Sequence, residues 1–242
     1  MTNIEKFLEM VQESDNIVFF GGAGVSTESG IPDFRSVDGL YNQKYDYPPE
    51  TILSHTFYMR HTEAFYRFYR DKMLCLDAKP NVTHQKLAEL EAAGKVKAVI
   101  TQNIDGLHQM TGSKRVLELH GSVHRNYCQK CGKGFDAEYI LNSGTKIPLC
   151  DECGGKIKPD VVLYEEGLNQ QTLEDAVFYI SHADVLIIGG TSLAVYPAAG
   201  LIDYYRGDKL VLINKSTTPM DGRADLLIQA GLGEVFSQIP QA

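Results

Sequence analysis

The chain has 242 residues, 43% of them hydrophobic, enough to bury a sizeable core as one large domain or as one domain carrying an insertion. Its 23 basic and 31 acidic residues leave a net charge of −8, which argues against a nucleic-acid partner and makes a basic peptide the more natural guest. No run approaches the roughly 18 apolar residues of a membrane helix. The opening MTNIEKFLEM carries acids and no apolar signal core, so the expectation is a cytoplasmic protein with no membrane contact.

Thr2 to Glu5 reads as a capping box that starts a first helix. Short runs rich in Val, Ile and Leu then recur, giving candidate strands at Asn16 to Phe20, Val96 to Thr101, Val116 to Leu119, Asp184 to Gly189, Leu210 to Asn214 and Asp225 to Ile228. Nearly uninterrupted runs of this kind fit parallel strands covered on both faces. Helical stretches lie between them, such as Thr83 to Ala93 ending at Gly94, and the alternation predicts an α/β fold with a Rossmann-like, doubly wound parallel sheet.

Two stretches break the alternation. Residues 37–79 carry six Phe or Tyr between Phe57 and Tyr69 and read as helical after Pro49; these aromatics fit a core face better than a ligand stack. Residues 122–159 are rich in Gly and Lys and too polar for a core of their own. The expected organisation is a large domain from 1–36, 80–121 and 160–242, a smaller lobe made of the helical insertion 37–79 and the module 122–159, and a cleft between them.

The second insertion holds Cys128-x2-Cys131 and Cys150-x2-Cys153, with eighteen residues between the pairs. Two such turns aim four thiolates at one point and close a tetrahedron around zinc. With four protein ligands the shell is full, so the metal is expected to be structural. Its binding free energy replaces the missing core. Two disulfides in a secreted protein are the competing reading, disfavoured by the N-terminus. Cys75 has no partner of suitable spacing and reads as a small buried hydrophobe.

The first candidate strand runs into Gly21-Gly22-Ala23-Gly24-Val25-Ser26-Thr27-Glu28-Ser29-Gly30. Small residues there let backbone approach a pyrophosphate, and the N-terminus of a helix expected to follow supplies unpaired N–H groups and a favourable dipole. The turn lacks the Gly-x-Gly-x-x-Gly spacing of dehydrogenases and a ribose-binding acid about twenty residues on, which disfavours hydride transfer.

Several motifs together resemble the sirtuin family of NAD-dependent protein deacylases, in its bacterial form. They are Gly22 to Ser26, Gly30-Ile31-Pro32-Asp33-Phe34-Arg35-Ser36, Pro80-Asn81 with His84, Thr101-Gln102-Asn103-Ile104-Asp105, Leu119-His120-Gly121, Gly190 to Leu193 with Val195 to Ala198, and Ile213-Asn214. With the paired cysteines they span nearly the whole chain in the family's order. The resemblance implies that NAD is consumed as co-substrate, with acyl transfer from lysine to ADP-ribose and release of nicotinamide. It implies that Asp105, Asn103 and Ile104 bind the carboxamide, that Phe34 covers the sugar, and that Arg35, Ala23, Thr27 and Gln102 hold the diphosphate and ribose. Thr191, Ser192, Asn214 and Leu232 would line the adenosine half. His120 would act as general base on a ribose hydroxyl, a role suited to an imidazole with an ordinary pKa near 6.5.

The same resemblance makes an acyl-lysine protein or peptide the partner, paired as a strand along Val161, Val162, Tyr164 and Glu165. Here Glu165 stands where the family's Val-Val-x-Phe-Gly-Glu-like stretch has glycine, and the carboxylates of Glu165 and Glu166 are expected, as rim charges, to favour peptides with Lys or Arg beside the acyl-lysine. Family members that remove acidic acyl groups carry Tyr and, three residues on, Arg. The corresponding residues are read as Tyr66 and Tyr69, which implies acetyl over succinyl. Three readings compete with this one: ADP-ribosyl transfer to protein, a preference for longer neutral acyl groups, and a non-enzymatic zinc-ribbon module. Taken singly, Asp105 also reads as a helix cap and Arg35 as a surface ion pair.

Overall fold

The computed structural model describes residues 1–34, 39–40 and 47–241. The predicted capping box opens helix α1 (Asn3–Glu13): Thr2 Oγ1 accepts from the Glu5 N–H at 3.1 Å and the Thr2 N–H donates to Glu5 Oε2 at 2.6 Å. Strand β1 (Ile17–Gly21) follows, and all five of its residues are buried. After it come the short helices α2 (Pro49–Ile52), α3 (His55–Arg60) and α4 (Thr62–Phe68), the last running into a π-helical turn over Tyr69–Met73. Helix α5 (Val82–Ala92), strand β2 (Val96–Thr101), helix α6 (Leu107–Met110) and strand β3 (Val116–Glu118) return the chain to the sheet.

The second insertion comprises β4 (Gly121–Cys128), β5 (Gly134–Phe135), α7 (Ala137–Asn142) and β6 (Ile157–Val161). Helix α8 (Gln170–His182), strands β7 (Val185–Gly189), β8 (Leu210–Ile213) and β9 (Leu226–Ile228), and helix α9 (Leu232–Phe236) complete the chain. Among the described residues no helix is long and apolar enough to cross a membrane.

Six strands form one parallel sheet in the order β3-β2-β1-β7-β8-β9, with Phe19 between Val99 and Ile187. Because successive strand side chains alternate faces, β1 feeds two cores. Phe19 joins Phe7, Leu87 and Phe236 on the side of α1, α5 and α9, while Val18 and Phe20 join Ile180 and Leu201 on the side of α8. All six predicted strands are present. Three begin one residue late because the polar Asn16, Asp184 and Asp225 flank the buried run instead of entering it.

The small lobe has its own antiparallel sheet, β5-β4-β6. Its core is largely supplied by the helical insertion: Tyr58, Phe65, Tyr66, Phe68 and Tyr69 meet Val123, Ile140, Ile157 and Val161, with the Phe65 and Tyr69 rings stacked at 5.5 Å. Fully burying side chains of this size contributes about 1.5–3 kcal/mol each. The aromatic stretch thus forms the core face read from its spacing, and it covers a module whose own sequence is too polar to do so.

Candidate active site and metal centre

Strand order reverses between β1 and β7, and in open α/β sheets the crevice outside such a switch point is where ligands bind. Beyond β1 the glycine turn continues in two 3-10 turns, Ala23–Val25 and Thr27–Ser29, instead of the expected helix, and closes against the end of β7. The Gly24 N–H donates to the Gly190 carbonyl at 2.7 Å, and a Cβ on Gly24 would lie 2.7 Å from Gly190 Cα. These glycines therefore serve tight loop closure first, which leaves their outer face open to the cleft. Asn81, the N-cap of α5, secures the turn from below through bonds from Nδ2 to the Val25 carbonyl (2.8 Å) and Ser29 Oγ (2.9 Å).

A cleft of about 640 Å³ runs from this turn to the small lobe. Its lining includes Ala23, Thr27, Phe34, Gln102, Asn103, Ile104, Asp105, His120, Thr191, Ser192, Asn214 and Leu232 of the expected cofactor set, and Val161, Val162, Tyr164 and Glu165 of the expected peptide set. Arg35 lies outside the described residues.

At the centre of the cleft, Asp105 Oδ2 accepts from Ser26 Oγ at 2.6 Å, Asn103 Nδ2 donates to the same hydroxyl at 3.0 Å, and Asp105 Oδ1 accepts from the Leu107 N–H at 2.9 Å. Asp105 is not the N-cap of α6, which is Gly106 with no side-chain cap bond; it fastens the Leu107 N–H from one residue further out with one oxygen and holds Ser26 with the other. Ser26 was not singled out by sequence, although it is the first polar residue after the glycine turn. Gln102 reaches across the switch point to Thr191 Oγ1 at 3.1 Å.

His120 sits between β3 and β4, on the seam of the two lobes. Its Nδ1 lies 2.9 Å from the Gln102 carbonyl, which can only accept, so the proton is on Nδ1 and Nε2 keeps its lone pair. Burial lowers the His120 pKa from its ordinary value, only partly offset by that bond. Gly121 next to it has φ +75°, and a Cβ there would lie 1.9 Å from the Asp160 carbonyl oxygen, so the chain turns into β4 only with glycine.

The four cysteine Sγ atoms lie within 4.8 Å of one another, with Cys128–Cys153 at 3.4 Å and Cys131–Cys150 at 3.7 Å. Both separations are far beyond a disulfide bond of about 2.05 Å, so the disulfide reading is excluded. They approach the roughly 3.8 Å edge of a tetrahedron with zinc–sulfur bonds of about 2.3 Å. The donor set fits zinc and leaves no position for substrate.

The profile of the Sir2 family matches residues 22–197. A protein of Clostridium acetobutylicum named NAD-dependent protein deacetylase is 60% identical over 241 residues, covering 99% of this chain and 98% of that one. This chain belongs to the Sir2 family. Its fold superposes on a solved Sir2–p53 peptide–NAD+ complex with a TM-score of 0.87 at 41% identity, covering 99% of this chain and 97% of that one. On a Sir2 variant with deacetylated p53 peptide and 3'-O-acetyl ADP ribose the TM-score is 0.91 at 40% identity, covering 98% and 97%.

Two expectations drawn from Sir2 relatives are modified by the structure. Tyr66 and Tyr69 do not face the cleft. Both are fully buried in the small-lobe core, with the Tyr66 hydroxyl donating to the Ile157 carbonyl. The π turn after α4 changes the helix phase, so Lys72 and Met73 line the cleft instead, followed by Leu76 and by Cys75, which is half-buried on the cleft wall and not buried in the core as its sequence suggests. Arg70 turns away, donating to the Ile140 carbonyl at 2.9 Å and Ser143 Oγ at 2.6 Å. The two tyrosines therefore give no ground for acetyl over succinyl.

The second concerns the acidic pair. Glu165 adopts φ +74°, the left-handed region where glycine is at ease, and its carboxylate accepts from the Thr56 N–H at the start of α3 at 2.8 Å. Glu166 is bonded to His55, Lys158 and the Leu163 N–H. Carboxylates engaged in this way attract a basic peptide less than free ones do.

Proposed function

We propose that this protein is an NAD-dependent protein-lysine deacetylase, which moves the acetyl group from lysine to ADP-ribose and releases nicotinamide. Bound NAD supplies the glycosidic bond whose cleavage drives the transfer. The observation that carries this reading is His120, held by its Nδ1–H in a cleft that also gathers Asn103, Asp105 and the Val161–Glu165 segment. A neutral imidazole with Nε2 unprotonated is a base ready to take a proton from a ribose hydroxyl.

In this reading Asp105 and Asn103 orient the carboxamide with Ile104, and Ser26 holds their side chains in place. Phe34 keeps water from the sugar, Ala23, Thr27, Arg35 and Gln102 hold the diphosphate and ribose, and Thr191, Ser192, Asn214 and Leu232 take the adenosine. Val161, Val162, Tyr164 and Glu165 receive the acyl-lysine peptide as an added strand. One zinc on Cys128, Cys131, Cys150 and Cys153 builds the small lobe and takes no part in chemistry. The lobes divide at 37–79 and 122–159. Four thiolates kept reduced for a metal suit a cytoplasmic setting, and the net charge of −8 suits a protein partner better than nucleic acid.

The test is nicotinamide release from NAD with and without an acetyl-lysine peptide, followed by mass analysis of that peptide. Release that depends on the peptide, with loss of its acetyl group, is expected; peptide-independent release with ADP-ribose on protein would favour transfer instead. His120→Ala should lower turnover about 100-fold to 10,000-fold and leave NAD binding intact. Because burial depresses the imidazole pKa, the acid limb of kcat/KM for wild type should fall below pH 6.5. Turnover of the variant near the wild-type rate would remove His120 from the mechanism.

A further inference from the structure

Resting on the deacetylase reading, we infer that Glu166 is the positioning residue of the peptide-binding segment: its carboxylate clasps three separate parts of the chain and presets the extended backbone on which substrate docks. Oε2 accepts from the Leu163 N–H at 2.9 Å and from Lys158 Nζ at 3.1 Å, and Oε1 lies 2.8 Å from His55 Nδ1. Leu163 belongs to the segment itself, Lys158 to β6 of the zinc module and His55 to the first turn of α3 in the helical insertion. The Glu166 N–H returns a bond to the Leu163 carbonyl at 3.0 Å, so residues 163–166 form a closed turn around the left-handed Glu165.

The remaining bonds of the segment show what this turn holds. The Val162 N–H donates to the His120 carbonyl at 3.0 Å, the Tyr164 N–H to the Leu53 carbonyl at 3.0 Å, and the His55 N–H to the Tyr164 carbonyl at 2.9 Å. Residues 162–164 are thereby strung between the residue proposed as base and the start of α3. Glu166 is the only side chain among the described residues that bonds the segment's backbone, the Lys158 ammonium at the Val161 carbonyl (3.2 Å) apart, and that ammonium is itself paired with Glu166. Burial alone would raise the Glu166 pKa, but His55, the Leu163 N–H and Lys158 together hold it below the ordinary carboxylate value, so it is ionised throughout the neutral range. An ionised acceptor with three donors from three elements fixes geometry more firmly than a single bond.

A residue that presets the docking strand but touches no reacting atom should act on peptide binding and leave the chemical step alone. In the full-length protein, Glu166→Ala should raise KM for an acetyl-lysine peptide about tenfold, with kcat and the KM for NAD within about threefold of wild type. Glu166→Gln keeps a carbonyl oxygen for the Leu163 N–H and should recover part of the loss. His55→Ala removes one arm and should give a smaller increase of the same sign. Hydrogen exchange at the Leu163 amide should quicken in Glu166→Ala and less so in Glu166→Gln. A peptide KM unchanged within twofold, a loss confined to kcat, or a Leu163 amide that exchanges as in wild type would overturn the inference. If Glu166→Ala loses zinc, the His55→Ala and Glu166→Gln values decide in its place. Failure of the wild-type protein to release nicotinamide with peptide would overturn the deacetylase reading; an active wild type with an unaffected Glu166→Ala variant would overturn this inference alone.

Discussion

In the large sheet every residue of β1 and β7 is buried, and two apolar cores, one on each face, close it without help. In the small lobe β5 has two residues, α7 has six, and the core is filled mainly by aromatics contributed from a stretch some sixty residues earlier, with Cys128 and Cys150 buried among them. The first region is stabilised by area removed from water and the second by area plus ligation. The two lobes should therefore fail under different conditions, and the joint between them under a third.

The largest effect should come from the metal. Cys128→Ser leaves three thiolates for zinc, and a buried structural site that loses a ligand gives up its contribution to folding. Metal analysis should find zinc lost from the variant, deacetylation should drop below detection, and hydrogen exchange should rise across 122–159 while β1, β2 and β7 stay protected. Equal loss of protection in both sheets would erase the contrast. A folded, active protein without zinc would erase the role of the metal.

Acid should find the weak point of the large lobe instead. His84 on α5 and His108 on α6 touch, with ring centroids 4.7 Å apart, and both are fully buried. Both nitrogens of His108 and Nε2 of His84 have no hydrogen-bond partner. Desolvation lowers both pKa values; His108 is lowered further by His84, while Asp105 partly offsets the shift at His84. Groups that are neutral when folded and protonated when unfolded give full stability above their unfolded pKa near 6.5, and that stability is lost as pH falls below it. The loss should approach about 1.4 kcal/mol per pH unit for each histidine. Denaturant titrations at pH 7.5 and 5.5 on wild type and His108→Leu measure it. The wild type should lose more than the variant, and because both carry the same zinc site the difference cancels metal release. Identical losses would place the acid-sensitive point elsewhere.

How much of this was visible in the sequence follows the same division. Strands of the large sheet were legible because a strand buried on both faces is a run of apolar residues, as at Val185–Gly189, and the polar residue at its edge costs one position of error. The zinc ligands were legible because two Cys-x2-Cys turns admit few other uses. The phase of the chain after α4 was not legible: the π turn at Tyr69–Met73 follows from packing against the second insertion, and nothing in Phe65 to Arg70 announces it. Nor was the box capping α5, where Asn81 and His84 take the parts usually played by Ser or Thr and Glu. Glu166 was visible only as a rim charge, because its three partners come from Leu163, Lys158 and His55, which no local pattern connects.

The smallest effect tests the joint between the lobes. Glu165 stands in a left-handed conformation that costs a residue with a Cβ, yet its carboxylate accepts from the Thr56 N–H at the exposed start of α3. The Thr56 hydroxyl first, then that bond and the nearby charges of His55 and Arg60, hold the Glu165 pKa below its ordinary value. Glu165→Ala keeps the strain and loses the cap. Glu165→Gly loses the cap as well but relieves the strain, at the cost of a more flexible unfolded chain. Glycine should therefore melt above alanine, by about 2–4 °C for a chain of this length, with wild type close to the glycine variant. Thermal melts of the three proteins at pH 7.5 decide it. An alanine variant that melts above the glycine variant would mean that residue 165 relaxes out of the left-handed region once its side chain is cut back, and that the turn is held by Glu166 alone.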